Sequence, residues 1–237
     1  MRHYITLMRP YQWSKNLFIL APAFFGFGQY AFGVALLNLA FAFIAFCAIA
    51  SGVYVLNDII DAKADKLHPL KKSRPIPSGK IKKRDAMIFA FILIFSAFMI
   101  LQIGGGHNKG IFIAFGIYLL LNLAYSLKLK HIAILDIFII ASGFVIRLFI
   151  GANTINVPLS HWIIITTFLL ALFLALAKRR DDVILLESGI KARHNIDGYN
   201  RTFLDIAMGI CGSLVMVTYI FYSIDEGVNA RFGTHNL

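Results

Sequence analysis

Apolar residues occupy this chain in long unbroken runs, not at the spacing of a one-sided helix or the alternation of a half-buried strand. Runs of near-membrane length fall at 14–29, 33–56, 86–103, 110–127, 132–152, 161–177 and 203–223. A helix needs about 20 apolar residues to cross a bilayer, so each run predicts a transmembrane helix. The stretch 17–56 is continuous and divides at Gly26, Gly28 and Gln29, where glycines allow a turn. Gly104-Gly105-Gly106 and Asn153 to Pro158 predict two further short turns. The expected architecture is an all-α, polytopic transmembrane bundle with seven spans, forming a single domain over residues 1–237. The N-terminus is not read as a signal peptide, because Arg9, Trp13 and Lys15 interrupt it and its apolar run leads straight into a second one.

Composition narrows the picture. Of 237 residues, 59% are hydrophobic and 15% charged, against about 25% charged in ordinary soluble domains. A soluble domain, a disordered chain and a disulfide scaffold are excluded. Cys47 and Cys211 both lie in apolar runs and are expected to be core residues. The net charge of +11 would suggest nucleic acid in a soluble protein. Here it marks orientation. Twenty of the 23 basic residues fall in the N-terminal segment and in the second, fourth and sixth loops. The positive-inside rule places those segments in the cytoplasm, facing anionic lipid, and leaves no call for a nucleic-acid partner. The second and sixth loops hold more charge than orientation needs, and they hold acids as well. The sequence carries no signal for oligomeric state.

The sharpest local feature is Asn57-Asp58-Ile59-Ile60-Asp61-Ala62-Lys63-Ala64-Asp65, where the second span leaves the membrane. Carboxylates at 58, 61 and 65 fall on one face of a helix. Like charges so gathered need a counter-ion, and Mg²⁺ prefers carboxylate oxygens and shares its shell with substrate phosphates. Asp58, Asp61 and Asp65 are therefore the expected metal ligands, weighed against a solvated helix end with incidental acids. Just downstream, prolines hold His68 to Lys80 extended, and Lys72 and Arg74 are suited to phosphate oxygens.

Asn57-Asp58-x-x-Asp61-x-x-x-Asp65, followed by Ser73-Arg74-Pro75-Ile76-Pro77-Ser78-Gly79, resembles the first aspartate motif of the UbiA superfamily of intramembrane prenyltransferases. The resemblance implies a membrane-embedded enzyme whose first motif binds Mg²⁺ and a diphosphate. The family has nine transmembrane helices, so the resemblance also implies a C-terminal pair beyond the seven counted here.

The chain departs from an ordinary prenyltransferase of this family at two places. Most members carry a second DxxxD motif in the sixth loop. Here Lys178-Arg179-Arg180-Asp181-Asp182 stands instead, with only Asp182 matching. The fourth loop has Tyr125-Ser126-Leu127-Lys128-Leu129-Lys130-His131 where a YxxxK pattern is common. These stretches, with Met8 to Asn16 and Gly143-Phe144-Val145-x-Arg147, resemble a subgroup that moves 5-phosphoribose from phosphoribosyl diphosphate (PRPP) to a polyprenyl (decaprenyl) phosphate. That likeness implies lipid-linked pentose synthesis at a bacterial cell membrane. Asp58, Asp61 and Asp136 are then the expected catalytic residues. Lys15, Asn57, Arg74, Tyr125, Lys130, Arg147, Lys178, Arg179 and Asp182 are the expected substrate contacts. Arg147 is held equally to be a structural contact to helix carbonyls, since a charge buried in a membrane must face the bundle interior. Prenyl transfer to an aromatic acceptor shares the fold and first motif, and the lost DxxxD counts against it. A transporter would place its ionisable groups at the midplane, whereas these lie at the cytoplasmic end.

Overall fold

The computed structural model describes residues 1–26, 32–104, 108–188, 198–225 and 228. The expected turn at Gly28 and Gln29, the glycines 105 and 106, the loop bases Lys191 and Arg193 and the C-terminal Arg231 lie outside the described residues. Among those described there is helix and no strand. The α-helices are α1 (Arg2–Met8), α2 (Ala21–Phe25), α3 (Phe32–Leu67), α4 (Lys83–Ile103), α5 (Lys109–Leu127), α6 (Leu135–Ile155), α7 (His161–Glu187) and α8 (Arg201–Ile224). A 3₁₀ helix, Pro10–Ile19, joins α1 to α2.

Six of these helices, α3 to α8, are long and apolar enough to cross a membrane. The first expected span, 14–29, is not one α-helix. Gln12, Ser14, Lys15 and Asn16 interrupt its apolar face, and Pro22 lacks a backbone donor, so the chain breaks at Leu20 between the 3₁₀ segment and α2. Its path follows α3. Arg9 meets Asp58, the indole of Trp13 donates to Ser51 Oγ at 3.1 Å, and Asn16 Nδ2 donates to Cys47 Sγ at 3.2 Å. Rising numbers on one strand of contacts meet falling numbers on the other, so this segment runs antiparallel beside α3. Among the described residues six helices of membrane length are present against the seven spans expected, and the first expected span is a 3₁₀ segment followed by a short helix.

The chain divides into two compact units. The first comprises Met1–Leu127 and Phe149–Val157. α3 is its axis, packing on α4, α5, α1 and the 3₁₀ segment. Phe46 on α3 sits edge-on to Phe115 and against Tyr118 of α5. The last turns of α6 approach the N-terminal segment so closely that a Cβ at Gly151 would lie 2.0 Å from the Ile19 carbonyl oxygen. Only glycine allows that approach. At 36 residues, α3 is about 54 Å long by its rise per residue, well over the ~30 Å hydrocarbon thickness. Its acidic C-terminal turns therefore extend beyond the apolar layer.

The second unit comprises Lys128–Leu148 and Pro158–Leu237. α7 and α8 pack along their length. Ile137 and Ala141 of α6 join Ala171, Leu172, Ala175, Leu176, Leu204 and Cys211 in its apolar core. α7 continues well past the expected end of its span, so Lys178 to Asp182 are helical and not in a loop.

Candidate functional site

In the first unit the acids share one end of α3, as their spacing predicts, and each has a polar partner. Asp58 and Asp65 are buried, and the guanidinium of Arg74 bridges them. Its Nη1 donates to Asp65 Oδ2 at 2.7 Å and to Asp58 Oδ1 at 3.1 Å. Arg74 reaches them because a short 3₁₀ turn, Lys71–Ser73, folds the Pro-rich loop back toward α3. Arg9 Nη2 donates to the same Asp58 oxygen at 2.5 Å, and its guanidinium lies over the Tyr54 ring, 5.2 Å from the centroid. Lys71 Nζ stands 4.0 Å from Asp65 Oδ1. Asp61 turns to Asn57, whose amide donates to it at 3.2 Å.

Buried carboxylates are costly unless paired. The sequence pointed to a metal as the counter-ion. The structure supplies Arg9, Arg74 and Lys71, and among the described residues no three acids, histidines or cysteines stand grouped to hold a metal. The sequence gives Arg9 no site role of its own. It reaches Asp58 because its own backbone is left-handed, φ 52°, at the turn between α1 and the 3₁₀ segment. That conformation is uncommon outside glycine and asparagine, and sequence spacing does not reveal it. Lys15 is exposed on the 3₁₀ segment, and Tyr125 is half-buried near the end of α5.

In the second unit Asp136 is 1% exposed at the start of α6. Arg179 Nε donates to its Oδ2 at 2.7 Å, with Nη2 2.6 Å from the same oxygen. Tyr199 Oη donates to its Oδ1 at 2.5 Å. Arg179 Nη1 also donates to Asp182 at 3.3 Å. Tyr199 was missed because it stands alone in the polar turn before α8 and belongs to no motif. Lys130 is buried and Lys178 exposed. Arg147 is buried, donates to the Gly143 carbonyl of its own helix at 2.6 Å, and lies 5.4 Å from the Phe144 ring centroid. This is the carbonyl contact held open in the sequence.

Fold and site together define a multi-pass helical membrane protein with a carboxylate–guanidinium cluster at the end of its longest helix. The chain belongs to the UbiA prenyltransferase family, which it matches over residues 19–230, and it is an enzyme of that transferase family. It is 33% identical over 219 residues to the decaprenyl-phosphate phosphoribosyltransferase of Mycolicibacterium smegmatis, a match spanning 91% of this chain and 68% of that one. It is 32% identical over 227 residues to the enzyme of the same name from Corynebacterium glutamicum, spanning 93% and 67%. Among solved structures, that of a UbiA homolog from Archaeoglobus fulgidus bound to GPP and Mg²⁺ is similar in fold. The TM-score is 0.73 at 17% identity, covering 96% of this chain and 81% of that one.

Proposed function

We propose that this protein transfers 5-phosphoribose from PRPP to a polyprenyl phosphate such as decaprenyl phosphate, releasing diphosphate, with Mg²⁺ as cofactor. The observation that carries the reading is the charge of the two motifs. The acids of α3 retain a diphosphate-site pattern, while Lys178-Arg179-Arg180 stands where the family's second acidic motif would bring a second diphosphate site. PRPP brings one diphosphate and a separate monophosphate. The names of the relatives point the same way.

Asp58, Asp61 and Asp65 offer only hard oxygen donors, and Mg²⁺ is commonly held by one or two carboxylates with substrate phosphates completing its shell. The donor set fits. These three residues would hold the ion, which would neutralise the charge of a leaving diphosphate. Arg9 and Arg74, already on the acids, are placed for diphosphate oxygens, where a guanidinium fork binds in two-point fashion. Asn57 orients Asp61 through its amide. Lys130 and Lys178 are the proposed cations for phosphate in the second unit. The lipid phosphate oxygen attacks ribosyl C1 as the C1–O bond to diphosphate breaks. The acceptor is already an anion, so no general base is required. The prenyl chain gains its affinity from burial among apolar helices, about 0.8 kcal/mol per CH₂. We place the protein in a bacterial cell membrane with its N-terminus and the acidic end of α3 in the cytoplasm.

Membranes carrying the protein, incubated with radiolabelled PRPP, polyprenyl phosphate and Mg²⁺, should yield a labelled lipid. Asp61→Asn should abolish the product. Turnover of a prenyl diphosphate onto an aromatic acceptor, with no label entering lipid from PRPP, would overturn the reading in favour of conventional prenyl transfer.

A further inference from the structure

The cluster around Arg179 is built differently from a substrate-binding surface. Arg179 is 1% exposed and Asp136 1%. Two carboxylates, Asp136 and Asp182, take hydrogen bonds from the guanidinium. Asp136 is engaged from both sides, by Arg179 on Oδ2 and by Tyr199 on Oδ1. A carboxylate so enclosed is a poor general base, and a guanidinium so enclosed is a poor ligand for an incoming phosphate.

Tyr199 does a second thing. Its oxygen accepts a hydrogen bond from the Ile134 N–H at 2.6 Å. Ile134 has φ 69°, left-handed backbone in a β-branched residue, which is a genuine outlier. Strain of this kind persists only where neighbouring structure over-determines it. Here it lies two residues before Asp136 and aims that carboxylate at Arg179. Burial, and the bond to Asp136, push the Tyr199 hydroxyl well above the usual phenol range. It therefore remains a donor through physiological pH. One hydroxyl thus ties the turn before α8 to the start of α6, and through Asp136 to the cytoplasmic end of α7.

Successive helical residues project about 100° apart. With Arg179 turned inward, its neighbour Lys178 is turned out and exposed. We propose that Tyr199 is a positioning residue for phosphate binding: through Asp136 and Arg179 it fixes the rotation of α7, so that Lys178, not Arg179, meets the phosphate. Asp136 in this arrangement is a counter-charge, not a base. The proposal rests on the reading that a phosphorylated donor binds at this end of α7.

The test is a double-mutant cycle on the full chain in lipid nanodiscs with Mg²⁺, reading the Kd for PRPP and the Tm together. Tyr199→Phe removes only the hydroxyl. It should raise Kd about fivefold to tenfold, the size of an ordinary net hydrogen-bond contribution, because the effect reaches Lys178 through two other side chains. Lys178→Ala should raise Kd at least as much with Tm unchanged. Because Tyr199 acts through Lys178, the double variant should bind no worse than Lys178→Ala alone, within about twofold. Arg179→Lys keeps the charge but loses the fork, and should resemble Tyr199→Phe. Additive losses in the double variant, or a lower Tm at unchanged Kd, would overturn the proposal. If the wild type binds a prenyl diphosphate and not PRPP, the functional reading fails, and the same cycle run with that ligand still decides the role of Tyr199. Binding of neither overturns both.

Discussion

At the residue scale the acid cluster is held by side chains that arrive from far along the chain. Arg74 touches both Asp58 and Asp65. Replacing it with alanine removes the bridge between two buried carboxylates, leaving Asp58 to Arg9 and Asp65 to Lys71, and breaking a buried pair from one side costs about 3–5 kcal/mol. Arg74 is 30% exposed in its side chain, so water recovers part of this and about 2–3 kcal/mol is expected. Thermal unfolding of Arg74→Ala in detergent measures it, and adding Asp58→Asn should restore a substantial part. Tyr199 gives a pH signature with a definite sign. Its hydroxyl titrates higher in the folded protein than in the unfolded chain. The stability it contributes is therefore fully present below the unfolded value of about 10 and is lost as pH rises above it. A Tm–pH scan should fall above that point in the wild type and fall less steeply in Tyr199→Phe. Spacing alone gave the face shared by Asp58, Asp61 and Asp65. It could not give Arg9, whose reach depends on a left-handed turn, or Tyr199, which needs the fold to meet Asp136.

At the element scale the apolar runs located six membrane-length helices to within a few residues at most ends. The exceptions share one cause. Hydropathy falls at Asn57 and at Lys178, so the second and sixth spans were expected to stop there, yet α3 and α7 continue as helices through their charged turns. Lys, Arg, Glu and Asp carry no signal that ends a helix, and no glycine or proline intervenes. The opposite error fell on 14–29, apolar enough to be expected as a span but built partly as a 3₁₀ helix. Its close packing yields a prediction. Gly151→Ala would drive a Cβ into the Ile19 carbonyl, a backbone atom with no rotamer to escape by. A loss of about 1–3 kcal/mol is expected, as for overpacking elsewhere, and chemical denaturation of the purified protein reads it. Gly209→Ala, with nothing within 4 Å of the added carbon, is the control and should be neutral or stabilising.

At the scale of the whole molecule the lopsided charge was legible from the sequence and its meaning was not. Most of it falls in the N-terminal segment and in alternate loops, as a loop census shows. The remainder does two kinds of work that composition cannot separate. Arg9 and Arg74 hold acids of their unit, Arg147 and Arg179 are buried in theirs, and Lys178 stands at the surface. Orientation itself is testable. Single cysteines at Ser78 and at Asn200, in a Cys47→Ala, Cys211→Ala background, should react with an impermeant thiol reagent only when it reaches the cytoplasmic face. A cysteine at Pro158 should react only from the other face. Labelling of all three from one side would sink the assignment.

The left-handed turn at Arg9 has a consequence in the order of synthesis. Arg9 and Asp58 are 49 positions apart. A growing chain therefore exposes its first site cation well before the carboxylate that will neutralise it. Over that stretch, residues 1–57 carry Arg2, Arg9 and Lys15 and no acid. Uncompensated cations flanking an apolar segment bias that flank toward the cytoplasmic side. The same arginine would thus first orient the chain in the membrane and, once α3 is complete, close the site.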